Sequence, residues 1–198
     1  MRRAGSGARA LLSGKRKKLV ELLQADGRLS LTALGRALGI SHVGVRKHLD
    51  KLLGSGLVRV SASINLRALG AQLLVFLCEA EHFRLTNMLE VLRRCPRVAF
   101  LATLVGSYNL MAILVAEHPG VAKAMSLGVC GLRRMEGIRR SELYLVQDVL
   151  YPEGLPIKVS AEKEADKTPC GLHCGSCDFY TSGECPACPV TRWYKGPL

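Results

Sequence analysis

No stretch of this sequence offers the roughly eighteen uninterrupted apolar residues that a membrane span requires. Residues 1–12, MRRAGSGARALL, are cationic and small, without the apolar core of a secretory leader. The expected location is the cytoplasm, with no membrane partner. Catalytic signatures are missing as well: there is no Ser-His-Asp set, phosphate loop or dinucleotide fingerprint, and the glycine-rich segments lack the strand-to-helix context such motifs need. An enzyme is therefore not expected. Acidic side chains are nearly lacking at one end. Residues 1–60 carry 13 Lys and Arg against 3 Asp and Glu, an excess of +10 out of +12 for the whole chain. The balance is 11 against 8 over residues 61–159 and 4 against 5 over 160–198. Clustered cations gain by releasing counterions from phosphates, so the basic end points to nucleic acid, whereas the middle and the tail do not. With 48% hydrophobic residues over 198 positions, the chain is no disordered polymer and can build two compact domains plus a small appendage.

The basic end has a recognisable rhythm in Arg28–Val60, RLSLTALGRALGISHVGVRKHLDKLLGSGLVRV. Ser30 is placed to cap a short helix with Leu31, Leu34 and Leu38 on one face, and Gly39 supplies the backbone freedom that closes it. Ser41 is placed to cap a second helix, in which Val45, Leu49 and Leu52 recur at helical spacing and turn inward. The opposite face presents His42, Val43, Arg46 and Lys47, with Arg46 as the foremost base-contact candidate. Gly54 and Gly56 end that helix. The alternation in Leu57–Val60 then predicts a strand with Arg59 outward on a basic wing. The pattern reads as a winged helix-turn-helix gripping double-stranded DNA through Ser41, His42, Val43, Arg46, Lys47 and Arg59, with Lys15 and Arg16 as further cationic contacts.

Beyond a linker at 63–70 the periodicity changes. Ala71–Glu81 predicts a strand, Arg84–Cys95 a helix stopped by Pro96, and Val98–Val105 and Leu110–Glu117 a pair of strands around a tight turn. A helix over Pro119–Met135 and a strand over Ile138–Tyr151 complete the order βαββαβ, a ferredoxin-like unit with both helices on one sheet face. Apolar residues alternate to both sides of these strands, so the second face calls for a partner, and sheet-to-sheet dimerisation supplies one. His42 and His48 ride the recognition helix, while His82 and His118 fall at strand ends. Cys78, Cys95 and Cys130 are expected to pack as small apolar residues, the last inside a helix.

The runs LSLTALGRALGIS and VRKHLDKLLGSGLV, a linker and a βαββαβ domain containing GSYNL together resemble the Lrp/AsnC transcriptional regulators over about residues 15–155. The resemblance implies dimers, often octamers, assembled through the βαββαβ domain. It also implies a small effector, typically an amino acid, near the loop Gly106, Ser107, Tyr108 and Asn109. Two departures stand out: the first helix starts from the basic Ser13–Leu23, and Asn109 replaces the family's usual aspartate. Certain sirohaem decarboxylases are similar in architecture, but an enzyme of that kind has no use for a basic recognition face. A DNA-bound adaptor whose tail recruits a partner is a further reading.

The tail reads as a third element. After the charged linker at 158–169, the spacing is Cys170-x3-Cys174-x2-Cys177-x7-Cys185-x2-Cys188. Two C-x2-C pairs aim four thiolates at one zinc ion, the first choice of cofactor. The C-x3-C-x2-C start with a fourth ligand from the second pair suits an iron–sulfur cluster. Disulfides or free thiols are the third option. A fifth thiol beyond a four-ligand set is what a metal or redox sensor needs. The fold class is α+β: a flexible basic arm at 1–12, a winged helix-turn-helix at 13–62, the linker, a ferredoxin-like domain at 71–157, the charged linker and a cysteine-rich module at 170–198.

Overall fold

The computed structural model describes residues 10–152, 154–160 and 162–198, so the arm expected at 1–12 lies outside the described residues as far as residue 9. It divides into two compact units, one ending at Ser61 and the other running from Ala62 to Leu198.

In the first unit α1 spans Gly14–Ala25, α2 Leu31–Leu38 and α3 His42–Gly54. The caps are those expected: the Ser30 hydroxyl accepts the Ala33 N–H at 3.1 Å and the Ser41 hydroxyl that of Gly44 at 3.2 Å. Gly39 closes α2 with φ +62°. Leu19, Leu34, Leu38, Val45 and Leu52 form the core, with Ile40, Leu49 and Val58 packed around it. The tight corner also depends on Gly35, where a Cβ would come within 2.7 Å of the Ile40 carbonyl oxygen. The expected wing strand does not form: Leu57–Val60 belongs to no strand. Its alternation is strand-like, but a strand needs a neighbour, and the next strand residues downstream, Ile64–Asn65, pair with Gly154–Leu155 instead.

The second unit begins with that pairing, β1 (Ile64–Asn65) against β6 (Gly154–Leu155), followed by the single-turn α4 (Leu66–Leu69) in the segment expected as linker. Then come β2 (Gln72–Ala80), α5 (His82–Arg94), β3 (Val98–Thr103), β4 (Leu110–Ala116), α6 (Pro119–Ser126) and β5 (Ile138–Leu145). The sheet order β3-β4-β2-β5 is antiparallel throughout, the ferredoxin-like arrangement that βαββαβ predicts. Leu74, Phe76 and Cys78 of β2 and Leu110, Ala112 and Leu114 of β4 share a core with Met88 and Leu92 of α5 and Val121 and Met125 of α6.

Two elements end well short of the ranges that the sequence pattern predicts, by six residues or more, while β3 stops two residues early at Thr103. Helix α6 stops at Ser126 because Gly128 takes φ +72°, and Gly131–Arg134 forms a separate 3-10 turn, so Cys130 sits in a connection rather than inside a helix. Strand β5 stops at Leu145. The chain then folds back so that Val146, Val149, Leu155 and Ile157 cover one end of the second sheet face, over Leu66, Leu73 and Val115, together with Tyr194 and Leu198. The remainder of that face is open, with Val75, Leu77, Met111 and Ile113 half-buried and Phe100 and Tyr144 half exposed.

The tail is packed into this same unit. Arg97, next to the start of β3, and Glu117, next to the end of β4, form a buried ion pair. The Arg97 Nε donates to Glu117 Oε2 at 2.9 Å and its Nη2 to the Ala187 carbonyl at 2.5 Å. Tyr194 donates to Glu117 Oε1 at 3.0 Å and accepts the Leu198 N–H at 3.0 Å. At the first turn of α6 the tail comes closer than any side chain would allow: a Cβ on Gly120 would lie 1.5 Å from the Glu184 carbonyl oxygen. Among the described residues no helix is long and apolar enough to cross a membrane.

Candidate nucleic-acid interface and cysteine-lined cavity

Helix α3 turns Val45 and Leu52 inward, and the same rotation leaves Ser41, His42, Val43, Arg46 and Lys47 exposed along its N-terminal half. Val43 is 62% exposed, an apolar side chain in water at the head of the helix. Among the described residues of this unit the one ion pair is Lys18–Glu21, so Arg46, Lys47 and Arg59 face solvent with their charge uncompensated. Lys15 extends toward the corner between α2 and α3, its Nζ 3.5 Å from the Gly39 carbonyl. Arg16 is half-buried and donates to the Ala10 carbonyl at 3.1 Å, which commits its guanidinium at the start of its own helix.

The Gly106–Asn109 loop joins β3 to β4. Its Asn109 is occupied structurally: Oδ1 accepts the Ala80 N–H at 2.8 Å and Nδ2 donates to the Ala80 carbonyl at 2.7 Å, beside the register shift between Glu79 and Ala80. The amide thus fills the gap that the irregular ladder leaves. Tyr108 carries the Arg140 guanidinium 5.1 Å from its ring centre. Gly106, Ser107 and Asn109 border an open cleft with His82, Arg139 and Arg140, and Tyr108 stands outside it.

The five tail cysteines are brought together, in company the sequence pattern did not reveal. Cys170, Cys174, Cys177, Cys185 and Cys188 line one cavity of about 470 Å³, and Cys95, Cys130 and Arg97 line it too. Burial pushes the Cys95, Cys130, Cys174 and Cys185 thiols up from their ordinary range, and Cys188 to about 12. Opposing that, the Arg97 charge and the Val190 backbone N–H act on Cys188, and the Ala187 N–H acts on Cys185. Ala187 holds φ +70°, the left-handed conformation that bends the Cys185–Cys188 turn back on itself. For Arg97, burial is the largest influence and works against the charge, but the hydrogen bonds and negative charge of Glu117, with the neighbouring Cys188 and Cys130, together push its pKa up. Among the described residues, no three of His, Cys, Asp or Glu are gathered tightly enough to hold a single metal ion.

Comparison with known proteins bears on the basic unit and on the sheet. Residues 11–61 match a family described as a helix-turn-helix domain. An uncharacterized HTH-type transcriptional regulator of Pyrococcus abyssi is 24% identical over 136 residues, which are 67% of this chain and 84% of that protein. Two solved structures superpose on most of the chain. Escherichia coli AsnC does so with a TM-score of 0.61 at 12% identity, covering 71% of this chain and 95% of AsnC. A transcriptional regulator of Neisseria meningitidis in complex with L-Met does so with a TM-score of 0.63 at 17% identity, covering 71% and 93%. The chain carries the Lrp/AsnC fold.

The Lrp/AsnC fold accounts for the helix-turn-helix and the βαββαβ sheet; over a quarter of the chain lies outside each superposition. Sequence reasoning missed Arg97, Glu117 and Tyr194, and it assigned Cys95 and Cys130 to plain packing. One sign was present: Glu117 closes the apolar run LMAILVA, and a charge at the end of a buried strand calls for a partner.

Proposed function

We propose that the chain is a cytoplasmic, sequence-specific DNA-binding transcriptional regulator of Lrp/AsnC type that works as a homodimer. The observation that carries this reading is the exposed face of α3, where Ser41 caps a helix presenting His42, Val43, Arg46 and Lys47 with no acidic partner, inside a segment matching a helix-turn-helix domain. The regulator name of the Pyrococcus relative favours this over an enzymatic role. The open apolar part of the sheet, with Phe100, Val75, Leu77 and Tyr144, supports pairing with a second copy, and a two-fold pair of recognition helices suits a palindromic site.

A small effector is the second part of the proposal. The solved Neisseria regulator is a complex with L-Met, and the cleft beside Gly106 and Ser107 offers hydroxyl, imidazole and guanidinium groups to a ligand carboxylate. Asn109 keeps its amide on Ala80, so it serves as frame rather than as ligand contact.

The experiment is selection of DNA sites from a random pool, followed by fluorescence-anisotropy titration at several salt concentrations. Arg46→Ala should cost about 1 to 3 kcal/mol on the selected site and relax the preference at one base position. Equal affinity of the native protein for selected and scrambled DNA, or equal loss on both in Arg46→Ala, contradicts the assignment.

A further inference from the structure

Cys78 is buried in the sheet core, and the other seven cysteines border one space. Two of those seven belong to the βαββαβ domain: Cys95 follows the last residue of α5, and Cys130 precedes the 3-10 turn at Gly131. They stand 35 positions apart in sequence, in the unit's most ordinary packing positions. The tail reaches both. The space a Cβ would take at Gly131 is occupied by the Cys170 Sγ, 2.8 Å away, so the tail's first thiol lies directly on the turn that begins after Cys130. The Thr168 hydroxyl lies 3.1 Å from the same sulfur and accepts the Leu172 N–H, which fixes the loop around it. Arg97 holds the Ala187 carbonyl, and with it the turn that presents Cys188.

Two contacts fasten tail thiols beside sheet-domain thiols: the Cys170 sulfur packs on Gly131, next to Cys130, and Arg97, two residues after Cys95, holds the carbonyl of Ala187, next to Cys188. A tetrahedral zinc site needs its thiolates about 2.3 Å from a single point. These thiols instead surround a volume of about 470 Å³ with Val121, Met125 and Leu172 among its apolar walls. Thiols spread around such a volume, rather than converging on one point, suit the corners of a multi-atom core such as an iron–sulfur cluster held by four cysteines.

We propose that this cavity is an iron–sulfur cluster site whose thiolate ligands are Cys95 and Cys130 of the βαββαβ domain together with Cys170 and Cys188 of the tail. The cluster joins the tail to the sheet domain, which the two C-x2-C pairs alone would not do. Nothing in this assignment requires DNA binding, and DNA affinity measured on the same preparation separates a failure here from a failure of the regulator reading.

The test uses the full chain, purified without oxygen and then supplied with ferric iron, sulfide and a dithiol that reduces half of the iron as it becomes a disulfide. Iron and acid-labile sulfide should bind, about four of each for a cubane, with broad visible absorption. Cys95→Ala and Cys130→Ala, made separately, should each lose at least half of the bound iron, whereas Cys78→Ala should load like the native chain. Cys95→Ser, which replaces sulfur by oxygen and preserves shape, should shift the visible spectrum, and the electron paramagnetic resonance spectrum after one-electron reduction with dithionite, even where the cluster survives. Native iron loading in both alanine variants, an unshifted Cys95→Ser spectrum, or a chain that takes up zinc and forms no cluster, overturns the proposal.

Discussion

The recognition helix and the cysteine-lined cavity are assembled by opposite routes. The exposed face of the first lies between Ser41 and Lys47, held by two serine caps, one left-handed glycine and a core of four leucines and one valine from α1, α2 and α3. The cavity gathers thiols from Cys95 to Cys188, across the sheet domain and the whole tail. A site of the first kind tolerates damage elsewhere in the chain. A site of the second kind fails when any of several distant contacts is lost, because no local element carries it.

The largest test of that contrast is Glu117→Ala. It removes both bonds from Arg97 and the one from Tyr194, and leaves a guanidinium buried without its counter-charge. Breaking one side of a buried pair costs about 3 to 5 kcal/mol. Urea denaturation followed by the fluorescence of Trp193, which lies in the tail, should register that loss in the second unit, while the helical signal of the first unit keeps its midpoint. A common shift of both signals would mean that the two sites are not independent.

Gly120→Ala is the next, and it acts through shape alone. The new methyl would need the place of the Glu184 carbonyl oxygen, and backbone cannot yield as a side chain can. The Cys185 end of the tail should lift from α6, and trypsin should cut at Lys195 and Lys167 faster than in the native chain. DNA affinity should be unaltered. Unchanged protection of the tail would show that α6 shifts instead and that the contact is not the anchor it looks to be.

These same contrasts explain what the sequence disclosed. Caps, helix faces and the strand order βαββαβ are patterns over a few residues, and Ser30, Ser41, Leu34, Val45 and the apolar run of β2 declared them. The wing strand was misread because alternation over Leu57–Val60 says nothing about which strand is available as a neighbour. Helix α6 was read too long because Leu132 continues an apolar rhythm that in fact passes through Gly128 into a 3-10 turn. The C-x2-C pairs announced a thiol site. Its other members, Cys95 and Cys130, could not be announced: each is a lone cysteine in its own neighbourhood, and only the tertiary fold brings them to the tail.

The smallest expected effect probes the local side of the comparison. Ser41→Ala removes one cap bond, to the Gly44 N–H, at the head of α3. An N-cap of this kind is worth about 1 kcal/mol. The loss should register in the melting of the first unit and weaken DNA binding by fraying the turn that carries His42 and Val43. Ser41→Asp restores an acceptor and a charge that the helix N-terminus favours, so it should recover the stability. It should not recover the DNA affinity, since a carboxylate at the head of the recognition helix repels the phosphates that Arg46 and Lys47 approach. Recovery of both together would place α3 away from the DNA and assign the basic face some other partner.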